Sequence, residues 1–174
     1  TESSRAYLGL DPGVHGSMAL INGDEVKFWD PPTFQTEYKS LGKLRRRTHY
    51  AVEALAILLE HEVMASCSEV KVILEEVSSR PGDGVVQAFS FGFGFGLYRG
   101  MLAALKGMDN ITLVRPGIWK KALGLLKQDK EASRQLALNL YPQAAEFLKL
   151  KKHSDRAEAL LLAHYGKISD TGEL

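Results

Sequence analysis

The sequence contains one cysteine, Cys67, among its 174 residues. A disulfide within the chain is therefore excluded, and so is a zinc site built from several cysteine thiolates. A lone thiol fits a protein that works in a reducing intracellular compartment. The fold must then be stabilised by an apolar core, and the hydrophobic content of 45% is ordinary for a globular chain.

Long hydrophobic runs are also missing. No uninterrupted apolar run reaches the ~18 residues of a membrane span, so we expect no membrane partner. We also expect no signal or transit segment within these residues. The length of 174 residues predicts a single domain covering 1–174, because no repeat, linker or low-complexity segment interrupts the chain.

The sequence has no large excess of either charge, since its formal net charge is only +1. Charge is nevertheless uneven along the chain. Residues 115–167 contain 11 Lys and Arg against 5 Asp and Glu, and a local basic surplus suits a nucleic-acid partner. A solvated helical surface explains the same surplus equally well, so charge alone does not choose between the two.

Hydrophobic periodicity and turn signals predict alternating strands and helices. The predicted strands are 6–11, 17–21, 26–29, 69–75 and 111–114. The predicted helices are 48–64, 86–106, 116–121, 129–141 with Asp129 as N-cap, and 154–165. Irregular structure is predicted for 30–47, for the polar loop 77–86 and for a frayed tail after Gly166. Three consecutive strands followed by alternating strands and helices predict an α/β protein with a mixed sheet flanked by helices.

Four acidic side chains lie where such a fold places functional groups. Asp11 and Glu75 end two apolar strands, and they face the same way only if those strands are neighbours in the right register. Asp155 and Glu158 are three apart on the predicted last helix and share a face. Taken singly, these acids also fit a turn, a solvated strand end and a helix cap. Together they favour an oxygen-ligand site for Mg²⁺ or Mn²⁺ that supports cleavage of nucleic acid.

The segments around these acids carry a family resemblance. They resemble the RuvC-type Holliday-junction resolvases, within the RNase H-like superfamily, at LGLDPG (8–13), ILEEV (73–77) and DRAEAL (155–160). The resemblance covers nearly the whole chain and implies an RNase H-like fold with a mixed five-stranded sheet. Three further segments look like the branch that includes the plant monokaryotic chloroplast resolvases: WKK (119–121), DKEA (129–132) and KKH (151–153).

The resemblance implies a structure-specific endonuclease that resolves Holliday junctions by paired nicks, each leaving a 5′-phosphate. Asp11, Glu75, Asp155 and Glu158 would hold two divalent ions around the scissile phosphate. One ion would generate hydroxide from water, and the other would stabilise the leaving 3′-oxygen. A homodimer would nick two opposed strands, because its two-fold symmetry matches that of the four-way DNA junction. The resemblance to the plant branch implies a location in the chloroplast nucleoid.

Two neighbours of these acids have open roles. His153 either orients the attacking water, contacts the scissile phosphate, or is a solvated loop histidine beside two lysines. Bacterial relatives have an Asp-x-x-Asp pair where this chain has Asp155-x-x-Glu158, so Glu158 ligates either directly or through water. Glu76 is expected to face the other side of its strand.

Basic and polar side chains near the acids are candidates for contact with DNA. The loop 78–87 follows the strand that ends at Glu75, so Arg80 is positioned to pair with guanine and Gln87 with adenine. The candidates for phosphate contacts are Lys120, Lys121, Lys130, Arg134, Lys151 and Lys152. For each of them, surface solvation is the competing explanation. Trp119, next to the first of these lysines, is expected in the core.

Phenylalanines and glycines alternate along 89–96. Gly94, Gly96 and Gly100 miss the G-x-G-x-x-G spacing of a dinucleotide fingerprint, so we expect no nucleotide cofactor. Gly92, Gly96 and Gly100 recur every four residues and form a small-residue stripe on a helix. Such a stripe allows close packing, either within the fold or across a dimer, and the corresponding helix of the RuvC-type proteins lies at the dimer interface.

Two other functions remain open. Phosphotransferases of the actin and sugar-kinase type also place Asp and Gly after a first strand, but they need two such domains and a second phosphate loop, for which this chain is too short. A junction-binding module without catalysis would share the fold, and the presence of all four acids argues against it.

Overall fold

A computed structural model describes residues 5–79 and 81–174 of the chain. Within them the strands are β1 Ala6–Leu10, β2 Met18–Asn22, β3 Glu25–Trp29, β4 Thr33–Ser40, β5 Lys43–Tyr50, β6 Val70–Glu75 and β7 Ile111–Val114. The α-helices are α1 Val52–Leu58, α2 Val85–Lys106, α3 Pro116–Ala122, α4 Lys130–Leu140 and α5 Ser154–Thr171. α1 continues into a π-helical turn, Leu59–Val63, and a short 3₁₀ turn, Met64–Ser66.

Five of the strands form one mixed sheet in the order β3-β2-β1-β6-β7. β1 is antiparallel to β2 and parallel to β6, and β6 is parallel to β7. The mixed five-stranded sheet flanked by helices is therefore confirmed. β4 and β5 pair only with each other and form a separate hairpin.

Side chains alternate along β1 between two cores, one on each face of the sheet. Leu8 and Leu10 point into a core made with α1 and α2, where Tyr98 and Leu102 are fully buried. Tyr7 points into the other core, which is made largely by α5. The sheet is covered on both sides, as its nearly continuous apolar strands require.

Gly9 lets α5 lie directly on β1. A Cβ at this position would fall far inside van der Waals contact of the carbonyl oxygen of Ala159 and 2.5 Å from the amide nitrogen of Ala163. Only glycine fits so close an approach of two backbones. The first turns of α5 are thereby held beside the carboxyl end of β1.

The prediction of irregular structure for 30–47 was wrong, because residues 33–40 and 43–50 form the β4–β5 hairpin. Leu41 and Gly42 connect the strands with φ values of 49° and 74°, as tight hairpins require. Most side chains of the hairpin are exposed on both faces, so its sequence has no hydrophobic alternation. The following helix begins at Val52 rather than at 48, because residues 48–50 belong to β5.

The tail after Gly166 is not frayed, since α5 continues to Thr171. Asp170 accepts hydrogen bonds from Lys71 of β6 and from Arg5, which ties the last turn of α5 to the sheet. Among the other helix signals, Asp129 caps α4 as predicted, because its carboxylate accepts from the Ala132 amide at 2.9 Å.

α2 carries the glycine stripe, and that stripe is open. Apart from the adjoining backbone of α2 itself, a Cβ added at Gly92, Gly96 or Gly100 would meet no described atom within 4 Å, so the stripe does not pack within the fold. Gly94 does, since its Cβ would lie 2.5 Å from the carbonyl oxygen of Pro12. By length and composition alone, α2 is long and apolar enough to cross a membrane, although it contains no uninterrupted apolar run of 18 residues. Only 17% of its most apolar 18-residue stretch is buried.

Candidate active site

The carboxyl ends of β1 and β6 lie side by side at one edge of the sheet. The two strands are parallel neighbours with Leu10 opposite Leu74, so Asp11 and Glu75 follow as the next pair in register. The condition for these two acids to face the same way is therefore met. Both continue the face that packs against α5, whereas Glu76 turns away and pairs with Arg115 at 3.3 Å.

α5 adds two further acids to this edge. Asp11, Asp155 and Glu158 each offer a carboxylate oxygen, and these oxygens all lie within 4.8 Å of one another. Glu158 is only 7% exposed. A compact set of carboxylate oxygens has the donor chemistry that Mg²⁺ and Mn²⁺ prefer, so the residues fit the predicted metal site.

Glu75 stands at the margin of this group rather than within it. Its Oε2 accepts a hydrogen bond of 2.8 Å from Nε1 of Trp119. Trp119 is fully buried, as predicted. Its hydrogen bond to Glu75 was not predicted, because nothing in the sequence indicates that α3 lies against the end of β6. The indole therefore fixes the orientation of this carboxylate.

Two lysines from the predicted phosphate contacts lie inside the site. Nζ of Lys120 is 2.8 Å from Oε1 of Glu158, and Nζ of Lys130 is 2.7 Å from Oδ1 of Asp155. Lys120 also lies 5.1 Å from the centre of the Trp119 ring. The two ammonium groups offset part of the repulsion that three neighbouring carboxylates would otherwise suffer.

Burial and mutual repulsion disfavour ionisation of the inner acids. Burial raises the pKa of Asp11 to about 6, and the charges of Glu158 and Asp155 push it in the same direction. Burial, followed by the charge of Asp11, raises the pKa of Glu75 to about 7. The hydrogen bond from Trp119 partly opposes the shift at Glu75. A cation that binds such carboxylates stabilises their ionised form.

These shifts predict that the metal-free protein loses stability between about pH 4 and pH 7. The folded state keeps protons on Asp11 and Glu75 at pH values where the unfolded chain has released them, so the free energy of unfolding falls as pH rises. Each pK unit contributes about 1.4 kcal/mol. Urea denaturation across this range measures the effect. The double variant Asp11→Asn/Glu75→Gln should show a weaker fall, and an unchanged pH dependence would contradict the prediction.

His153 lies at the rim of the site. It lines a cavity of about 460 Å³ together with Asp155, Arg156 and Thr33. Its Nδ1 accepts a hydrogen bond of 3.3 Å from the Leu150 amide, which orients the ring. Partial burial and the neighbouring charge of Arg156 lower the pKa of His153, which favours the neutral imidazole.

Arg156 is a structural residue that sequence reasoning missed. Its Nε donates to Oδ1 of Asp30 at 3.1 Å, and the guanidinium lowers the pKa of Asp30. The Ser17 hydroxyl donates to the same carboxylate. This cluster joins the start of α5 to the start of β2 and the end of β3, so it helps to place Asp155.

The other predicted DNA-contacting residues are spread around the acids. Gln87 is exposed and lines a second cavity, of about 380 Å³, that also contains Glu75. Arg134 is 14% exposed and donates to Glu131 and to the Leu148 carbonyl. The remaining predicted phosphate contacts, Lys121, Lys151 and Lys152, are exposed. Arg80 lies outside the described residues.

Both the sequence and the fold are similar to those of known proteins. The sequence is 38% identical over 84 residues, 48% of this chain, to "Holliday junction resolvase MOC1, chloroplastic" from Chlamydomonas reinhardtii. The aligned part is only 9% of that relative's length. The fold matches "T. thermophilus RuvC in complex with Holliday junction substrate" with a TM-score of 0.55 and 14% identity, covering 97% of this chain and 96% of the other. No protein-family model matches the sequence. The chain therefore has the RuvC fold, which is RNase H-like.

Proposed function

We propose that this chain is a Holliday-junction resolvase, an endonuclease that hydrolyses one phosphodiester in each of two opposed strands and leaves 5′-phosphates. The main support is the convergence of Asp11, Asp155 and Glu158 within 4.8 Å at the edge of the sheet. Such a carboxylate set serves metal-assisted phosphodiester hydrolysis. The sequence similarity to an algal resolvase and the fold shared with a junction-binding protein support the choice of substrate.

In this proposal the four acids bind Mg²⁺ or Mn²⁺, two ions per site. Asp11, Asp155 and Glu158 supply the inner oxygens, and Trp119 orients Glu75 as the fourth ligand. When bound, such ions would supply an activated water molecule and a positive charge for the leaving oxygen. The raised pKa values of Asp11 and Glu75 mean that binding releases protons, so affinity for the metal rises with pH through about 6 to 7.

The two lysines have a second role once their carboxylates are neutralised. Lys120 and Lys130 then lie within side-chain reach of the same acids without being held by them, and they are positioned to contact the DNA phosphate. His153 contacts the phosphate or orients the attacking water from the rim of the 460 Å³ cavity.

Exposed side chains outside the catalytic centre are proposed to make further contacts with DNA. The exposed Lys121, Lys151 and Lys152 bind phosphates. Gln87 reads bases beside the cavity that contains Glu75. Arg80, which lies outside the described residues, is proposed for the same role from its place in the sequence. Arg134 remains a candidate, although its bonds to Glu131 and Leu148 favour a structural role.

Residues 1–174 form one nuclease domain in this proposal. The protein acts in the chloroplast nucleoid, in line with the chloroplast location that the algal relative's name gives.

The decisive experiment offers a labelled four-way junction and a matched linear duplex to the protein in Mg²⁺. Paired, symmetric nicks in the junction, with ends that ligate directly, are the expected result. Tight junction binding without any cleavage would support a non-catalytic junction-binding module instead. Tight Mg-ATP binding in a calorimeter, without cleavage, would support the phosphotransferase alternative.

A homodimer is proposed to form through the open face of α2. Phe89 is 70% and Phe93 48% exposed on this helix, and Gly92, Gly96 and Gly100 leave room for a second backbone. Large exposed apolar groups beside small residues are typical of a helix that packs against a partner.

Phe89→Asp is therefore expected to weaken dimerisation by at least about 30-fold, since an aspartate would be buried without a partner. Sedimentation equilibrium measures the change. Ile57→Asp is the matched control, because Ile57 is 60% exposed on α1 and is expected to leave the dimer intact. A wild-type chain that stays monomeric, or equal effects of both substitutions, would contradict the proposed interface.

A further inference from the structure

The β4–β5 hairpin has one face that differs in charge from the other. Side chains directly opposite each other in an antiparallel pair share a face. The register places Phe34 opposite His49, Tyr38 opposite Arg45, and Ser40 opposite Lys43. We call this side the basic face, and its cationic and aromatic members are Phe34, Tyr38, Lys43, Arg45, Arg47 and His49.

The cations of the basic face have no acidic partner among the described residues. Lys43, Arg45 and Arg47 are all exposed, and no ion pair joins any of them to a described carboxylate. On the opposite face Arg46 is paired with Glu37 at 3.0 Å. Like charges on one face of a hairpin repel each other. A polyanion lying along the face would attract each of these cations and screen the repulsion between them.

The hairpin begins at the rim of the active site. The Tyr50 hydroxyl at the end of β5 donates to the carbonyl of Pro12, the residue that follows Asp11. Thr33 at the start of β4 lines the same cavity as Asp155 and His153. Eight-residue strands span about 26 Å, so the tip of the hairpin lies about that far from its base.

Aromatic rings lie among the cations of the basic face. Phe34 and His49 stack with ring centres 5.2 Å apart and planes 20° from parallel. Together with Arg47 they line a cavity of about 360 Å³ at the base of the hairpin. Aromatic and cationic side chains that share one surface suit contact with sugars, exposed bases and phosphates.

We propose that the basic face binds the sugar–phosphate backbone of the DNA arm that leads away from the cleaved phosphate. This inference rests on the proposed function, which supplies a junction with double-stranded arms. Successive cations on β5 are two residues apart, or about 6.7 Å, which is close to the rise of two nucleotides along one strand of B-DNA. The face then anchors an arm while the acids act on the strand at its base.

The test compares two double variants that remove the same number of positive charges from opposite faces. Arg45→Gln/Arg47→Gln alters the basic face, and Lys39→Gln/Arg46→Gln is the control on the other face. Junction binding is measured without divalent ions at several salt concentrations. The basic-face variant should bind at least about tenfold more weakly, and its log–log salt slope should be shallower by about 2, since each phosphate contact contributes about 0.9.

Further measurements separate the possible outcomes. Circular dichroism confirms that both variants are folded, and single-turnover cleavage at saturating protein should equal that of the wild type, because the face binds DNA without taking part in the chemistry. Equal loss of affinity in both variants, or none in the basic-face variant, would overturn the inference while wild-type cleavage still upheld the proposed function. Face-dependent junction binding without wild-type cleavage would uphold the inference and overturn the catalytic assignment. A wild type that binds no DNA would overturn both.

Discussion

Replacing Asp11 with asparagine is expected to lower the single-turnover rate of junction cleavage by at least about 10³-fold, because a charged ligand of the proposed metal site is lost. The Asp11 carboxylate directly follows β1, and its oxygen lies within 4.8 Å of those of Asp155 and Glu158. Junction binding should be retained, since removing one negative charge does not weaken attraction for phosphate. Gel-shift and cleavage assays on one preparation measure both quantities.

Glu76→Gln is the matched control for this substitution. Glu76 is also an acid at the end of a central strand, but it pairs with Arg115 and lies outside the acidic group. The Glu76→Gln variant should cleave at a rate within about threefold of the wild type, because loss of a surface ion pair has a small effect. Full activity in Asp11→Asn would remove the basis of the proposed function, whereas equal loss in both variants would point to a general electrostatic effect.

Gly9→Ala is expected to lower the free energy of unfolding by about 3 kcal/mol or more, the upper range for overpacking a core. The added methyl would overlap the Ala159 carbonyl oxygen, and helix backbone cannot move aside as a flexible side chain does. α5 would have to shift away from β1, so any protein that still folds should also cleave poorly. Urea denaturation measures the stability change.

Gly117→Ala provides the comparison for Gly9→Ala. A Cβ at Gly117, in α3, would meet no described atom within 4 Å. Its stability should change by no more than about 1 kcal/mol, the scale of helix propensity. Equal stability of Gly9→Ala and the wild type would mean that α5 does not depend on this close approach.

Local sequence patterns predicted the sheet and the helices that carry the acids. The apolar strands ending at Asp11 and Glu75 and the helical spacing of Asp155 and Glu158 are short-range signals, and residue type and periodicity are enough to identify them. The hairpin β4–β5 gave no such signal, because a strand pair exposed on both faces has no apolar alternation to detect. The turn at Leu41 was also concealed, since leucine rarely adopts a positive φ.

The partners of the acids were harder to predict than the acids themselves. Lys120 and Lys130 were assigned to phosphate contacts, yet they pair with Glu158 and Asp155. Trp119 was assigned to the core, and its hydrogen bond to Glu75 was missed. These contacts join residues distant in sequence across three different helices. Only the packing of α3, α4 and α5 around one edge of the sheet brings them together, and no local pattern encodes that packing.

The close contact of α5 with β1 at Gly9 also determines when the proposed active site can first form. Asp11 lies near the start of the described chain, and Asp155 and Glu158 lie near its end, so the acidic group is complete only after α5 has docked. During synthesis, β1 to β7 can pair while the later helices are still inside the ribosome. A partly made or partly folded chain would therefore hold only Asp11 and Glu75 in place. Under the proposed function, incomplete chains would lack the acidic group that cleavage of DNA requires.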